Sequence, residues 1–128
     1  MFLKGKTALI AGASQGLGFA IAEAYLNAGA NVAICARNEN LLNDAYQQLK
    51  LKLLHEQKLT SYALDITNSD AVETMVQDLK HIDVLVISAA IQGPMGAFET
   101  QSYEAWSQTI DINLKGVFNC CRFVVPLM

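Results

Sequence analysis

The stretch Gly12-Ala13-Ser14-Gln15-Gly16-Leu17-Gly18 limits what this chain can fold into more than any other. It follows the apolar run Thr7-Ala8-Leu9-Ile10-Ala11, and a helical pattern opens behind it at Leu17-Gly18-Phe19-Ala20-Ile21-Ala22. A strand that turns through glycines into a helix presents backbone N–H groups and the positive helix end to an anion, a phosphate above all. Gly12 permits the sharp exit from the strand. Gly16 removes a side chain where backbone would meet a pyrophosphate, and Gly18 lets the helix pack close to the sheet. Alone, a G-x-x-x-G-x-G turn could be ordinary punctuation that binds nothing. Here it sits inside a βαβ unit. Leu17, Ile21, Ala24, Tyr25 and Ala28 recur at helical spacing, Gly29 suits a helix C-terminus, and Asn31 to Ala36 forms a second strand. Such a unit of about thirty residues is the setting of a dinucleotide site, with Gly12, Ser14, Gln15, Gly16, Leu17 and Gly18 as its phosphate-facing residues.

The rest of the chain alternates in the same way. A helix is expected from about Glu39 to His55, where Leu41, Ala45, Leu49 and Leu53 repeat every four residues with Leu42 beside them. Lys58 to Leu64 is a short third strand. Asn68, Ser69 and Asp70 offer helix caps before the one-sided helix of Ala71, Val72, Met75, Val76 and Leu79. Asp83 to Ser88 is a continuous apolar run, as in a parallel strand covered on both faces. Gln92 to Gly96 is loop. From Ser102 onward the pattern is helical, with Trp106, Ile110, Asn113, Val117, Cys120 and Val124 near one face and Pro126 at its end. Four strands alternating with four helices predict an α/β, Rossmann-like doubly wound parallel sheet, in the order 3-2-1-4, with helices on both faces. A complete fold of this kind has about six strands. Residues 1–128 are therefore expected to be one binding domain, incomplete and lacking the later part.

Composition narrows the partners. Apolar residues make up 52% and charged residues 16%, so the chain is globular. A net charge of −3 without a Lys/Arg cluster speaks against nucleic acid, and no apolar stretch is long enough to span a membrane. Lys4 and Lys6 before a short apolar run imitate a secretion signal, but that run feeds directly into the glycine turn. Cys35, Cys120 and Cys121 have neither a disulfide framework nor metal-ligand spacing, which suits reduced thiols and a cytoplasmic protein. A mean hydropathy of +0.25 points either to an unusually large core or to apolar surface that meets a partner, and a homo-oligomer is expected.

In dinucleotide folds an acid at the end of the second strand binds a ribose 2′-hydroxyl, whereas an arginine accommodates a 2′-phosphate. The strand here ends Ala36-Arg37-Asn38, which favours NADP(H) over NAD(H). At this point a family resemblance becomes specific. Residues 11–18 resemble the T-G-x-x-x-G-x-G cofactor motif of the short-chain dehydrogenase/reductase family, with Ala11 in place of the threonine. Asp65-Ile66 resembles the family's Asp-Val pair after the third strand, which implies contact with the adenine ring. Asp111-Ile112-Asn113-Leu114-Lys115-Gly116-Val117-Phe118 is similar to its V-N-L-x-G-x-F segment. The resemblance places Asn113 on the asparagine of the catalytic tetrad, a residue that perturbs its helix and holds a water of the proton relay. It implies hydride transfer between a nicotinamide and a small carbonyl or alcohol in a complete enzyme.

Two departures qualify this. Ile87-Ser88-Ala89-Ala90 stands where the family has Asn-Asn-Ala-Gly, so an amide is lost at position 87 and a methyl is added at Ala90. Ser88, Ala89 and Ala90 remain cofactor-lining candidates, with weaker binding or a shifted fourth strand as the expected cost. The family's serine and Y-x-x-x-K pair would lie beyond Met128. Tyr46-Gln47-Gln48-Leu49-Lys50 matches Y-x-x-x-K literally but lies on the wrong helix, and a solvated helix face explains it. His55 and His81 are expected at the surface without partners. The alternative to an NADP(H)-binding portion of an oxidoreductase is a truncated, inactive nucleotide-binding or interaction module; a methyltransferase-like Rossmann class fits the whole chain less well.

Overall fold

The computed structural model describes residues 1–54 and 56–128. Four strands, β1 (Thr7–Ala11), β2 (Asn31–Ala36), β3 (Leu59–Ala63) and β4 (Val84–Ile87), form one sheet in the order β3-β2-β1-β4. Every pairing is parallel, as the alternating pattern requires. Leu9, Ile10, Ala11, Ala33, Ile34 and Cys35 in the two central strands have almost no exposed surface. β4 has a neighbour on one side only and is half-buried along its length.

Two hydrophobic clusters cover the two faces. Ile10, Ala22, Leu26, Ile34, Leu42 and Leu49 join the sheet to α1 (Gly16–Asn27) and α2 (Glu39–Lys50). Leu9, Cys35, Val72, Met75, Cys120 and Val124 join it to α3 (Ser69–Leu79) and α5 (Gly116–Val124). This is the expected doubly wound layering.

Several details differ from the sequence reading. The buried stripe of α1 is Gly18, Ala22 and Leu26, one position beyond the expected face, and Leu17 is 70% exposed. The shift follows from the close seating of Gly18 on the turn below. α2 ends at Lys50 instead of running to His55, a residue outside the described ones. Gln57 explains the stop: its amide donates to the carbonyls of Leu26 and Ala30 at 2.9 and 2.6 Å, drawing the chain back across the end of α1 to feed β3. Leu53 still packs on the core, so the leucine repeat outlasts the helix.

The last helical run is divided. α4 (Tyr103–Ile110) passes through a π-helical turn at Asp111–Lys115 into α5. A π turn accommodates one extra residue per turn and so rotates the helix beyond it. The buried line is Ile112, Gly116, Cys120 and Val124, while Trp106, placed on that line by the simple repeat, is 53% exposed. Lys115 and Asp111 bridge the π turn at 3.0 Å. Pro126 lies in a 3₁₀ turn, Val125–Leu127, just past the end of α5.

Candidate functional site

The loops that leave the four strands share one cleft of about 330 Å³. Gly12, Ser14 and Gln15 follow β1; Arg37 and Asn38 follow β2; Leu64, Asp65 and Ile66 follow β3; Ala89, Ala90 and Ile91 follow β4. A crevice beyond the carboxyl ends of parallel strands, where the strand order reverses about β1, is where open α/β sheets bind ligands.

The three glycines do different jobs. Gly12 has φ +82°, and a Cβ there would lie 2.4 Å from the Ala89 nitrogen and 2.7 Å from the Ser88 carbonyl carbon. The turn after β1 therefore lies directly on the end of β4. Gly18 faces inward: its Cβ would lie 2.1 Å from the Gly12 carbonyl oxygen. Gly16 has φ +62° and nothing within 4 Å of the corresponding position, so open space stands before the first turn of α1. Gln15 precedes α1 without a side-chain cap. By contrast α2, α3 and α4 are capped by Asn38, Asn68 and Ser102, whose side chains accept from Leu41, Ala71 and Ala105 nitrogens. The first-turn N–H groups of α1 thus have no capping side chain to meet them.

Arg37 is exposed at the rim, immediately after β2. Asn38 serves twice, lining the cleft and accepting from the Leu41 nitrogen at 3.0 Å to start α2. Glu39, next in sequence, borders a separate hollow with Ser61 and Ala63. Across the cleft, Asp65 Oδ1 accepts from the backbone N–H and the hydroxyl of Thr67 at 2.9 and 2.8 Å, fixing that turn.

β4 pairs in parallel with β1 up to the altered segment. Ile87 pairs with Ala11, and the Ser88 N–H donates to the Ala11 carbonyl at 2.8 Å. These are backbone bonds, so β4 pairs with β1 without an amide at position 87. Ala90 stands exposed at the cleft wall. Asn113 lies within the π turn and brackets the next residue: its Oδ1 accepts from the Ile91 N–H at 2.9 Å and its Nδ2 donates to the Ile91 carbonyl at 2.8 Å.

Of the residues expected at the site, Gly12, Ser14, Gln15, Arg37, Asn38, Asp65, Ile66, Ala89 and Ala90 line the cleft. Gly16, Leu17, Gly18, Ser88 and Asn113 stand behind it or beside it. Cys35, Ala36, Leu41, Leu64, Ile91 and Ile112 also line it. The ends of β2 and β3 were legible as strand ends, and Ile112 lies in the segment that resembles the family, whereas nothing in the sequence marks Ile91. Burial foremost, and then Cys120 nearby, push the Cys35 thiol up to about 12, against the pull of the Gly12 N–H.

Away from the cleft, His81 is not partnerless: its Nε2 lies 3.0 Å from Asp83 Oδ2. Asp83 also accepts from the Thr7 N–H at 2.9 Å. That bond first, then His81 and Lys6, hold its carboxyl below the usual carboxylate range. Tyr46 packs on the core and Lys50 is exposed at the far end of α2 from Asn38. Among the described residues no three His, Cys, Asp or Glu gather as a metal site, and no helix is long and apolar enough to cross a membrane.

A glycine turn under a helix start, a basic rim and strand-end loops around a crevice define a nucleotide-binding α/β protein. Comparison makes the class specific: residues 6–128 match the family model for short chain dehydrogenase. The chain belongs to that family of oxidoreductases and has its NAD(P)-binding fold. It is 34% identical to a probable NADP-dependent mannitol dehydrogenase of Yarrowia lipolytica, over 94% of this chain and 44% of that protein. A short-chain type dehydrogenase/reductase from Mycobacterium ulcerans superposes with a TM-score of 0.94 at 26% identity, over 98% of this chain and 47% of that one. The L-sorbose reductase from Gluconobacter frateurii, solved with NADPH and L-sorbose, gives 0.87 at 27%, over 98% and 48%. An NAD⁺-bound xylitol dehydrogenase gives 0.91 at 26%, over 100% and 50%. The chain spans about half the length of these proteins.

Proposed function

We propose that residues 1–128 form a single NADP(H)-binding domain of a short-chain oxidoreductase. When bound, the dinucleotide would supply or accept a hydride at its nicotinamide; the partner would be a small carbonyl or alcohol in a complete enzyme. The observation that carries this is Arg37 on the rim of the cleft that also holds the glycine turn. The residues fit the group. Gly16 leaves the space a pyrophosphate needs, with uncapped N–H groups behind it, while Arg37 offers a charge-assisted pair to a 2′-phosphate. Both NADP(H) and NAD⁺ occur among similar proteins, so the fold does not set the preference and the rim residue must.

In this reading Gly12, Ser14, Gln15, Gly16, Leu17 and Gly18 form the phosphate turn. Arg37 and Asn38 meet the 2′-phosphate, Asp65 and Ile66 the adenine, and Ser88, Ala89 and Ala90 the far wall. Asn113 takes the place of the tetrad asparagine. The test is calorimetric titration with NADP⁺ and NAD⁺. Sub-millimolar NADP⁺ binding that weakens strongly in Arg37→Asp supports the assignment; equal affinity for both dinucleotides in the unaltered protein refutes it.

A second reading, an inactive nucleotide-binding or interaction module, is favoured by Ala90 at the cleft wall and by Leu114, Phe118 and Val125, which stand exposed on one helical run. It is consistent with a cytoplasmic homo-oligomer, which light scattering would detect. Negligible oxidation of NADPH by the 128-residue protein with carbonyl substrates is expected, and measurable turnover would overturn that expectation.

A further inference from the structure

One helical run holds two opposite walls of the cleft. Asn113 brackets Ile91, in the loop after β4. Asn119, on α5, donates from Nδ2 to the carbonyl of Ile66, in the loop after β3, at 2.9 Å and across 53 positions of sequence. Gly116, between them, brings the helix close: a Cβ there would lie 2.6 Å from both Cδ1 and Cγ1 of Ile66. Ile66 is held by that approach and is only 6% exposed, yet it still lines the cleft. A loop carbonyl at the mouth of a cleft is ordinarily met by water; here a side-chain amide fixes it.

We infer that Asn119 is a positioning residue for the adenosine half of the ligand, acting through Ile66. This rests on the dinucleotide reading of the cleft. In the sheet order β3-β2-β1-β4, the glycine turn leaves β1 and Arg37 leaves β2. A ligand with its pyrophosphate on the former and its 2′-phosphate near the latter lays its nucleoside toward β3, against Ile66. Its other half then runs toward β4 and Ile91. Asn119 and Asn113 thus set different ends of one site, although both act from the same helical run.

The experiment titrates the 128-residue protein with NADP⁺ and with adenosine 2′,5′-bisphosphate, which lacks the nicotinamide half. Asn119→Leu keeps the branched outline of the side chain and removes the donor. Loss of one hydrogen bond that fixes a binding wall predicts roughly tenfold weaker binding of both ligands. Asn113→Leu is expected to weaken NADP⁺ alone. Nicotinamide mononucleotide, which lacks the adenosine half, should bind Asn119→Leu as it binds the unaltered protein, whereas a general loss of structure would weaken it too. Unchanged affinity of Asn119→Leu for adenosine 2′,5′-bisphosphate overturns the inference, as does a loss confined to NADP⁺. Should Asn119→Leu fail to give a native circular-dichroism spectrum, Asn119→Ser, too short to reach the carbonyl, carries the same expectation. Failure of both to fold would make Asn119 a folding residue and overturn the inference. If the unaltered protein binds neither ligand, the dinucleotide reading itself falls and this inference with it.

Discussion

Gly18→Ala tests how the glycine turn is built. The new Cβ would lie 2.1 Å from the Gly12 oxygen, 2.8 Å from the Gly12 carbonyl carbon and 3.1 Å from Ala13 Cα. All three are backbone atoms, so no side chain can swing away. Relief requires α1 to move by roughly 1.5 Å, since non-bonded contacts settle near 3.5–4.0 Å. That movement would pull Ala22 and Leu26, both fully buried, out of their packing. Overpacking a filled interior costs roughly 1–3 kcal/mol, and the absence of any soft neighbour places this case near about 3. For a domain of this size that lowers the melting temperature by roughly 10 °C. Gly16→Ala is the control. Nothing lies within 4 Å of its Cβ position, and its cost is the left-handed backbone, φ +62°, about 1 kcal/mol. Its methyl enters the space reserved for phosphate, so it should abolish stabilisation by NADP⁺. Urea unfolding followed by circular dichroism, with and without NADP⁺, measures both effects. The reasoning is refuted if Gly18→Ala unfolds at the same urea concentration as the unaltered protein, or if Gly16→Ala is the less stable of the two.

Asn38→Ala removes the cap of α2 and should cost about 1 kcal/mol in the same unfolding assay, with a further loss of NADP⁺ affinity because Asn38 also lines the cleft. Cys35 and Cys120 should resist thiol reagents at mildly alkaline pH until urea exposes them, whereas Cys121, only half-buried, should label in the folded protein. Burial raises the Cys35 and Cys120 thiols from 9.0 to about 12 and about 11. The unfolded chain releases these protons from near pH 9 while the folded chain retains them, so stability should fall as pH rises from about 9 through the folded values, and Cys35→Ala should flatten that fall. Asp83 behaves oppositely: its lowered carboxyl contributes stability above its ordinary value of 3.8, lost as pH falls through the folded value, and Asp83→Asn should remove that part of the acid dependence.

The fold was legible because each strand and helix carried its own pattern. Asn31 to Ala36 is a strand with the bounds its apolar run suggests, and the Asn68 and Asn38 caps fix helix starts where local chemistry demands them. The strand order followed from the doubly wound arrangement that alternating strands and helices take up. What failed was long-range. Gln57, beyond α2, is held by the carbonyls of Leu26 in α1 and Ala30 in the link after it, far away in sequence. The π turn at Asp111–Lys115 rotates the buried line from Trp106 and Val117 to Ile112 and Gly116, and apolar spacing alone assumes an unbroken helix. The glycine turn and Arg37 were visible as site residues because anion binding has a local signature. Asn119 has none: its role depends on meeting Ile66 from across the molecule.

The segment Ile87-Ser88-Ala89-Ala90 separates what the site takes from backbone and what it takes from side chains. The end of β4 is held by backbone bonds to β1 and by the close seating of Gly12, and the loop beyond is held by Asn113 on Ile91. An amide at position 87 is therefore dispensable for the strand. The methyl of Ala90 is different, since it stands on the cleft wall. Its backbone is not among those with positive φ, so the methyl brings no strain and any effect must be steric. Ala90→Gly should leave the unfolding free energy from urea titration within about 1 kcal/mol of the unaltered protein, the usual cost of added backbone freedom. It should also tighten NADP⁺ binding several-fold by letting the ligand approach the chain. Adenosine 2′,5′-bisphosphate, which does not extend toward β4, should bind unchanged. If NADP⁺ binds Ala90→Gly no better, the methyl does not meet the ligand, and the far wall lies elsewhere than the loop after β4.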